Sequence, residues 1–173
     1  MLATAANGPP LEAEVNNKHF KTIMLDCGLC SASLGLSLHQ IKSISEISMI
    51  NNEGIAEQAV GQLLRTILPA FTPPHLYYWR RDEKNAEAEI DYVIAHKDQV
   101  IPIEVKAGKS GTLKSLHKFM EEKDKQIAVR FNSDIPRKGP VSIKNSSQTL
   151  IEYQLLSLPF YLIGQLHRLI DSN

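Results

Sequence analysis

The chain has 173 residues, 43% hydrophobic and 22% charged, a size and balance that fit one packed domain. It has no run of eighteen apolar residues, which excludes a transmembrane helix, and residues 1–18 lack the basic start and apolar centre of a secretory signal. The net charge of zero hides an asymmetry: Lys106–Lys144 holds ten basic and four acidic side chains, whereas residues 1–105 hold eight basic and thirteen acidic, which suggests a polyanion-facing surface beside a carboxylate-rich site or, more plainly, a solvated helix of mixed charge.

Residues 1–18, MLATAANGPPLEAEVNNK, read as a flexible or extended arm before a single domain over 19–173. FKTIMLDCGLCSASLGLSLHQI (20–41) begins apolar and turns small and helical after Gly28. Its Cys27-Gly28-Leu29-Cys30 lacks the second ligand pair of a structural zinc site, and none of the six histidines stands in an H-x₃₋₅-H pair. Two buried thiols are expected, with a redox pair at a helix N-terminus as the alternative. Two cysteines without an export signal point to the cytoplasm and against a disulfide framework. Ile55, Ala59, Val60, Leu63, Leu64 and Ile67 recur at helical spacing and predict a helix over about 53–68, ended by Pro69 and Pro73-Pro74.

Three strands follow, HLYYWRR (75–81), AEIDYVIAH (88–96) and QVIPIEVKAG (99–108), joined by the short links KNAEA and KDQ. Strict alternation puts Ile90, Tyr92 and Ile94 on one face of the second strand and Glu89, Asp91 and Val93 on the other. GTLKSLHKFMEEK (111–123) predicts a helix with Thr112 as N-cap. QIAVRF (126–131) is a short strand, Pro136, Gly139 and Pro140 mark a loop, TLIEYQLLSLP (149–159) is a strand, and PFYLIGQLHRLID (159–171) closes as an amphipathic helix. The order predicts an α/β fold with a mixed central β-sheet flanked by helices.

Two chemistries compete in IDYVIAHKDQVIPIEVKAGKSG (90–111). Gly108-Lys109-Ser110 resembles the tail of a phosphate-binding loop, but the position of its first glycine is Ile103, so the glycines read as a turn into the next helix. The carboxylates are more informative. Glu104 and Lys106, two apart on a strand, share a face, with Val105 turned into the core. A short hairpin brings Asp91 beside Glu104. Two acids on neighbouring strands repel unless a cation lies between them, and Mg²⁺ suits such a pair because it takes one or two carboxylates and completes its shell with water and phosphate oxygens. The alternative is an exposed strand face with a surface ion pair; the apolar flanks of both strands weigh against it, since unpaired charge there is costly. Glu57, on the helix before the strands, is a further acid leaning over this site or a solvent-facing helix glutamate.

Glu57, Asp91 and Glu104-Val105-Lys106, in this order, resemble the PD-(D/E)xK nuclease-like superfamily with its restriction-endonuclease-like core. The strings FKTIMLDCGL, GIAEQAVGQLL, LYYWRR, AEIDYVI, PIEVKAGKSG and LKSLHKFM together resemble the C-terminal domain of a bacterial and archaeal family of AAA-type ATPases. The resemblance implies Mg²⁺ or Mn²⁺ at Asp91 and Glu104, with Lys106 as catalytic lysine and Glu57 as the helix acid. In that family the domain follows a P-loop ATPase domain and a winged-helix segment. These 173 residues hold neither, so the resemblance implies a remnant of a longer gene or an ATPase partner encoded elsewhere, as an expectation.

The leading expectation is thus a metal-dependent nuclease-like domain acting on DNA and accessory to an ATPase. Its metal ligands are Asp91, Glu104 and the carbonyl of Val105. Lys106 positions the attacking water, Glu57 orients water or binds a second metal, and Lys109, Lys114 and Lys118 contact phosphates. The alternative is a catalytically silent nuclease-fold module that binds protein or nucleic acid. Homodimerisation stays open, and no membrane association is expected.

Overall fold

QVIPIEV, the stretch Gln99–Val105, has six of its seven residues buried, as a strand does when helices cover both faces of its sheet. The computed structural model describes residues 1–35, 52–71, 73–81, 87–109, 111–145 and 148–172. Residues 36–41 of the expected helical stretch, residues 84–86 of the KNAEA link and Ser110 lie outside the described residues.

In chain order the strands are β1 (Leu2–Thr4), β2 (Val15–Phe20), β3 (Tyr77–Arg80), β4 (Glu89–His96), β5 (Gln99–Val105), β6 (Ile127–Asn132), β7 (Arg137–Lys144) and β8 (Leu150–Pro159). The helices are α1 (Cys27–Ser33), α2 (Asn52–Thr66), α3 (Lys114–Lys123) and α4 (Leu166–Asp171), with 3₁₀ segments at Leu11–Glu14 and Phe160–Gln165. The strands form one sheet in the order β2-β1-β3-β4-β5-β6-β8-β7. β5 with β6, β6 with β8 and β1 with β3 are parallel, and the other neighbours are antiparallel. The protein is therefore α/β with a mixed central sheet flanked by helices, as the alternation of patterns predicts.

Each face of the sheet has its own core. Ala56, Val60 and Leu64, one turn apart on α2, pack with Ile101, Ile103 and Val105 of β5, Phe131 of β6, and Ile163 and Leu166 of the C-terminal segment. Leu116, Phe119 and Met120 of α3 pack on the opposite face against Trp79, Ile90, Val93 and Val100. Trp79 and Phe119 meet edge to face at 5.1 Å. The C-terminal helix is also clasped to the β4–β5 hairpin, where Asp171 accepts from Lys97 at 2.6 Å and lies 2.8 Å from His96 Nε2. Among the described residues no helix is long and apolar enough to cross a membrane.

Several elements depart from the sequence expectations. Residues 1–18 are not a free arm: β1 pairs with both β2 and β3, and the buried Thr4 hydroxyl donates to the Leu11 carbonyl. The stretch around Gly139 and Pro140 is strand β7 rather than a loop. It lies at the sheet edge, where a residue without an N–H loses no ladder bond. α3 begins at Lys114, not Thr112, and its first turn has no side-chain cap. The first half of the last helix is 3₁₀, entered from Pro159. Cys27 and Cys30 are free thiols on α1, partly exposed rather than buried, after Asp26, whose carboxylate accepts from the Leu29 amide at 2.8 Å.

Candidate functional site

β4 carries a bulge. Opposite β3, Tyr77 pairs with Val93 and Trp79 with Ile90, so three steps along β4 span two along β3. The extra residue breaks the expected alternation. Ile90 and Val93 both face the α3 core, while Tyr92 and Ile94 face the α2 core. Asp91 falls at this irregularity, where a bulge re-aims a side chain. The β4–β5 ladder ends at the pair Tyr92–Ile103. One residue further the Asp91 carboxylate itself replaces a ladder carbonyl, its Oδ2 accepting from the Val105 amide at 2.7 Å.

α2 is fixed over this point by Tyr92, whose hydroxyl donates to the Glu57 carbonyl at 2.8 Å. Gly61 permits that approach: a Cβ there would lie 2.5 Å from the Tyr92 oxygen. The same register brings the Glu57 side chain toward Asp91.

Glu104 of β5 and Lys106, the first residue past its end, share a side, and Lys106 Nζ lies 2.9 Å from Glu104 Oε1. Glu104 is 6% exposed, and its second oxygen, Oε2, is buried with no hydrogen-bond partner among the described residues. The lysine stem lies against Gly111, where a Cβ would come within 2.7 Å of Lys106 Cδ. Gly111 to Leu113 lie outside α3.

The electrostatics follow from three acids gathered in a half-dry place. Burial, and then the charge of Asp91, pushes Glu57 up to about 7. Burial and the same Asp91 charge push Glu104 up to about 7, against the pull of Lys106. Burial also raises Asp91, opposed by the Val105 amide and by Lys21 and Lys106. Burial alone would lower Lys106, but Glu104 and Asp91 more than offset it and strengthen its hold on its proton.

The structure thus brings Glu57, Asp91, Glu104 and Lys106 together where β4 and β5 separate. Val105 contributes its amide directly. Lys109 and Lys114 are exposed on the approach to and start of α3. Lys118 is engaged by acids of its own helix, Glu121 at 3.0 Å and Glu122 at 3.8 Å. Lys21 was not expected here. It follows β2, pairs with Glu89, lies over the Tyr78 ring and feels the charges of Glu57 and Asp91. No periodicity in the sequence relates it to acids some 35 to 70 positions away. Among the described residues no group of three or more His, Cys, Asp or Glu side chains is arranged to enclose a metal ion.

No curated protein and no solved structure matches the chain. The profile of a domain of unknown function, DUF4143, matches residues 53–156. That span opens at the start of α2, runs into β8, and contains Glu57, Asp91, Glu104 and Lys106. The chain belongs to the DUF4143 family.

Proposed function

We propose that the chain is a divalent-metal-dependent nuclease-like domain of the PD-(D/E)xK type, with a restriction-endonuclease-like core, that hydrolyses phosphodiester bonds in DNA. The observation that carries this reading is Glu104, a buried carboxylate with one oxygen on Lys106 and the other without a partner, beside a second acid. A buried, unpaired acid oxygen costs free energy that a cation at that point would offset. The donor set fits Mg²⁺ or Mn²⁺, since all donors are oxygens and two carboxylates suffice for an ion that keeps waters and takes phosphate oxygens.

Asp91 and Glu104 would hold the ion, with the Val105 carbonyl as a further donor. When bound, the ion supplies positive charge to a phosphoryl oxygen and lowers the pKa of a coordinated water. The chain's own groups do the rest. Lys106 keeps its ammonium charged beside Glu104 and orients a water or steadies charge on the phosphate. Glu57, raised to about 7, holds or releases a proton near neutral pH. Exposed Lys109 and Lys114 meet flanking phosphates, whereas the ion pairs of Lys118 reduce its share. The resemblance to ATPase-linked domains makes an AAA-type ATPase the fitting partner, in the cytoplasm.

The test is calorimetric titration of Mg²⁺ and Mn²⁺ into wild type and an Asp91→Asn/Glu104→Gln variant, followed by a cleavage assay on DNA with Lys106→Ala as control. Binding in wild type alone, with cleavage lost in Lys106→Ala, is the expected result. Cleavage retained by folded Lys106→Ala would sink the assignment. A second reading, the silent docking module, is favoured by the exposed apolar side chains Phe20, Leu25, Leu29 and Phe71. It predicts no metal binding by a folded wild type.

A further inference from the structure

A row of side chains crosses the sheet beside the carboxylates. In-register neighbours on adjacent strands share a face. Glu104 of β5 pairs with Arg130 of β6, and Arg130 with Ser157 of β8. Asn132 lies two residues beyond Arg130, on the same face.

Three N–H groups converge on the Ser157 hydroxyl oxygen: Arg130 Nε at 3.1 Å, Arg130 Nη2 at 2.8 Å and Asn132 Nδ2 at 3.1 Å. A hydroxyl has two lone pairs, so its accepting capacity is filled and its own proton must be donated away from the cluster. The buried Asn132 amide also donates to the Lys109 carbonyl at 3.2 Å, which ties the loop carrying Lys109 to the same spot. Arg130 is only half-buried and cannot lose its charge. Yet both of its bonded groups go to a neutral oxygen, and no carboxylate among the described residues pairs with it. Glu104, its neighbour in the row, is taken by Lys106. The cluster therefore presents the half-buried Arg130 guanidinium, held by the buried Ser157 and Asn132, about 4.8 Å of strand spacing from Glu104. Ser157 occupies the Nε–Nη2 edge, so the edge left for an oxyanion is that of Nη1, and a guanidinium suits phosphate.

We propose that Arg130, held by Ser157 and Asn132, binds the phosphate of a nucleic-acid strand next to the phosphate at Asp91 and Glu104. The proposal rests on the nuclease-like reading of the carboxylate site. It makes Arg130 a substrate-positioning residue and the bound strand a continuous phosphodiester rather than a mononucleotide. Contacts of this kind position a backbone and carry no sequence preference.

The test measures affinity of the full chain for single-stranded and duplex DNA of two unrelated sequences, without divalent metal, across a range of salt. Wild type, Arg130→Gln and Arg130→Lys are compared, with thermal melting as a check on folding. Losing one phosphate contact should reduce the slope of log affinity against log salt by about 0.9 for duplex or about 0.7 for single strands. Arg130→Gln should show that reduction and weaker binding on both sequences alike, while Arg130→Lys keeps the slope. An unchanged slope in folded Arg130→Gln overturns the proposal, as does a wild type that binds no DNA, or equal losses in both variants together with a lowered melting temperature. Calorimetry separates this result from the nuclease reading. A wild type that binds no Mg²⁺ removes that reading, and a slope still dependent on Arg130 then keeps the phosphate contact.

Discussion

Asp91 carries a charge and also holds the Val105 amide at 2.7 Å, and two substitutions separate these roles. Asp91→Ala strips a ladder amide of its acceptor and should cost about 1–3 kcal/mol in urea denaturation. Asp91→Asn keeps an acceptor and removes the repulsion with Glu57 and Glu104, so its stability should match or exceed that of wild type. Metal binding, on the proposed function, is lost in both. The raised glutamates give a second prediction. Glu57 and Glu104 hold protons in the folded protein between their ordinary value of 4.5 and about 7, where the unfolded chain has lost them. More protons on the folded state mean that the contribution of these two groups is fully present below 4.5 and is lost as pH rises toward 7. Melting temperatures of the metal-free protein from pH 5 to 7.5 should therefore decline from this source, and Glu57→Gln should flatten the decline. An unaltered profile in that variant would mean that Glu57 ionises freely.

Among the elements, the α2–β4 contact has the least room for change. It depends on one glycine and one phenol: a Cβ at Gly61 would lie 2.5 Å from the Tyr92 oxygen. Gly61→Ala should destabilise by about 1–3 kcal/mol through overpacking. Tyr92→Phe should cost about 1 kcal/mol for the lost bond to the Glu57 carbonyl. The double variant should lose less than the sum, because removing the oxygen relieves the clash; additive losses in a double-mutant cycle would place the strain elsewhere. This contact matters beyond stability, since it sets how closely Glu57 approaches Asp91. Legibility in the sequence also varied by element. α2, β4, β5, β6 and β8 stood out because each buries a periodic or continuous apolar set. β1, β2 and β7 did not: three residues, a polar VNNKHF and a glycine- and proline-bearing RKGPVSIK have no apolar run to reveal them. β2 and β7 lie at the two sheet edges, bonded along one side only.

For the molecule as a whole, the candidate site lies where the sheet opens between two cores, so that a ligand there would join β4, β5 and α2. A divalent ion that binds only the folded state should stabilise it by about 2.7 kcal/mol at a hundredfold excess over its dissociation constant. Thermal melting with and without Mg²⁺ measures this, and the shift should vanish in Asp91→Asn/Glu104→Gln. A shift of equal size in that variant would locate the binding elsewhere. The amino-acid sequence by itself determined the central strands, the α2 helix, the α/β class and the proximity of Glu104 to Lys106, because these follow from local periodicity and a two-residue spacing. Only the tertiary structure decided the bulge that re-aims Asp91, the arrival of Lys21, the orphaned oxygen of Glu104 and the row from Glu104 through Arg130 to Ser157. Each depends on strand pairing and burial between residues far apart in the chain, and no spacing along a single segment encodes which strand will lie beside it.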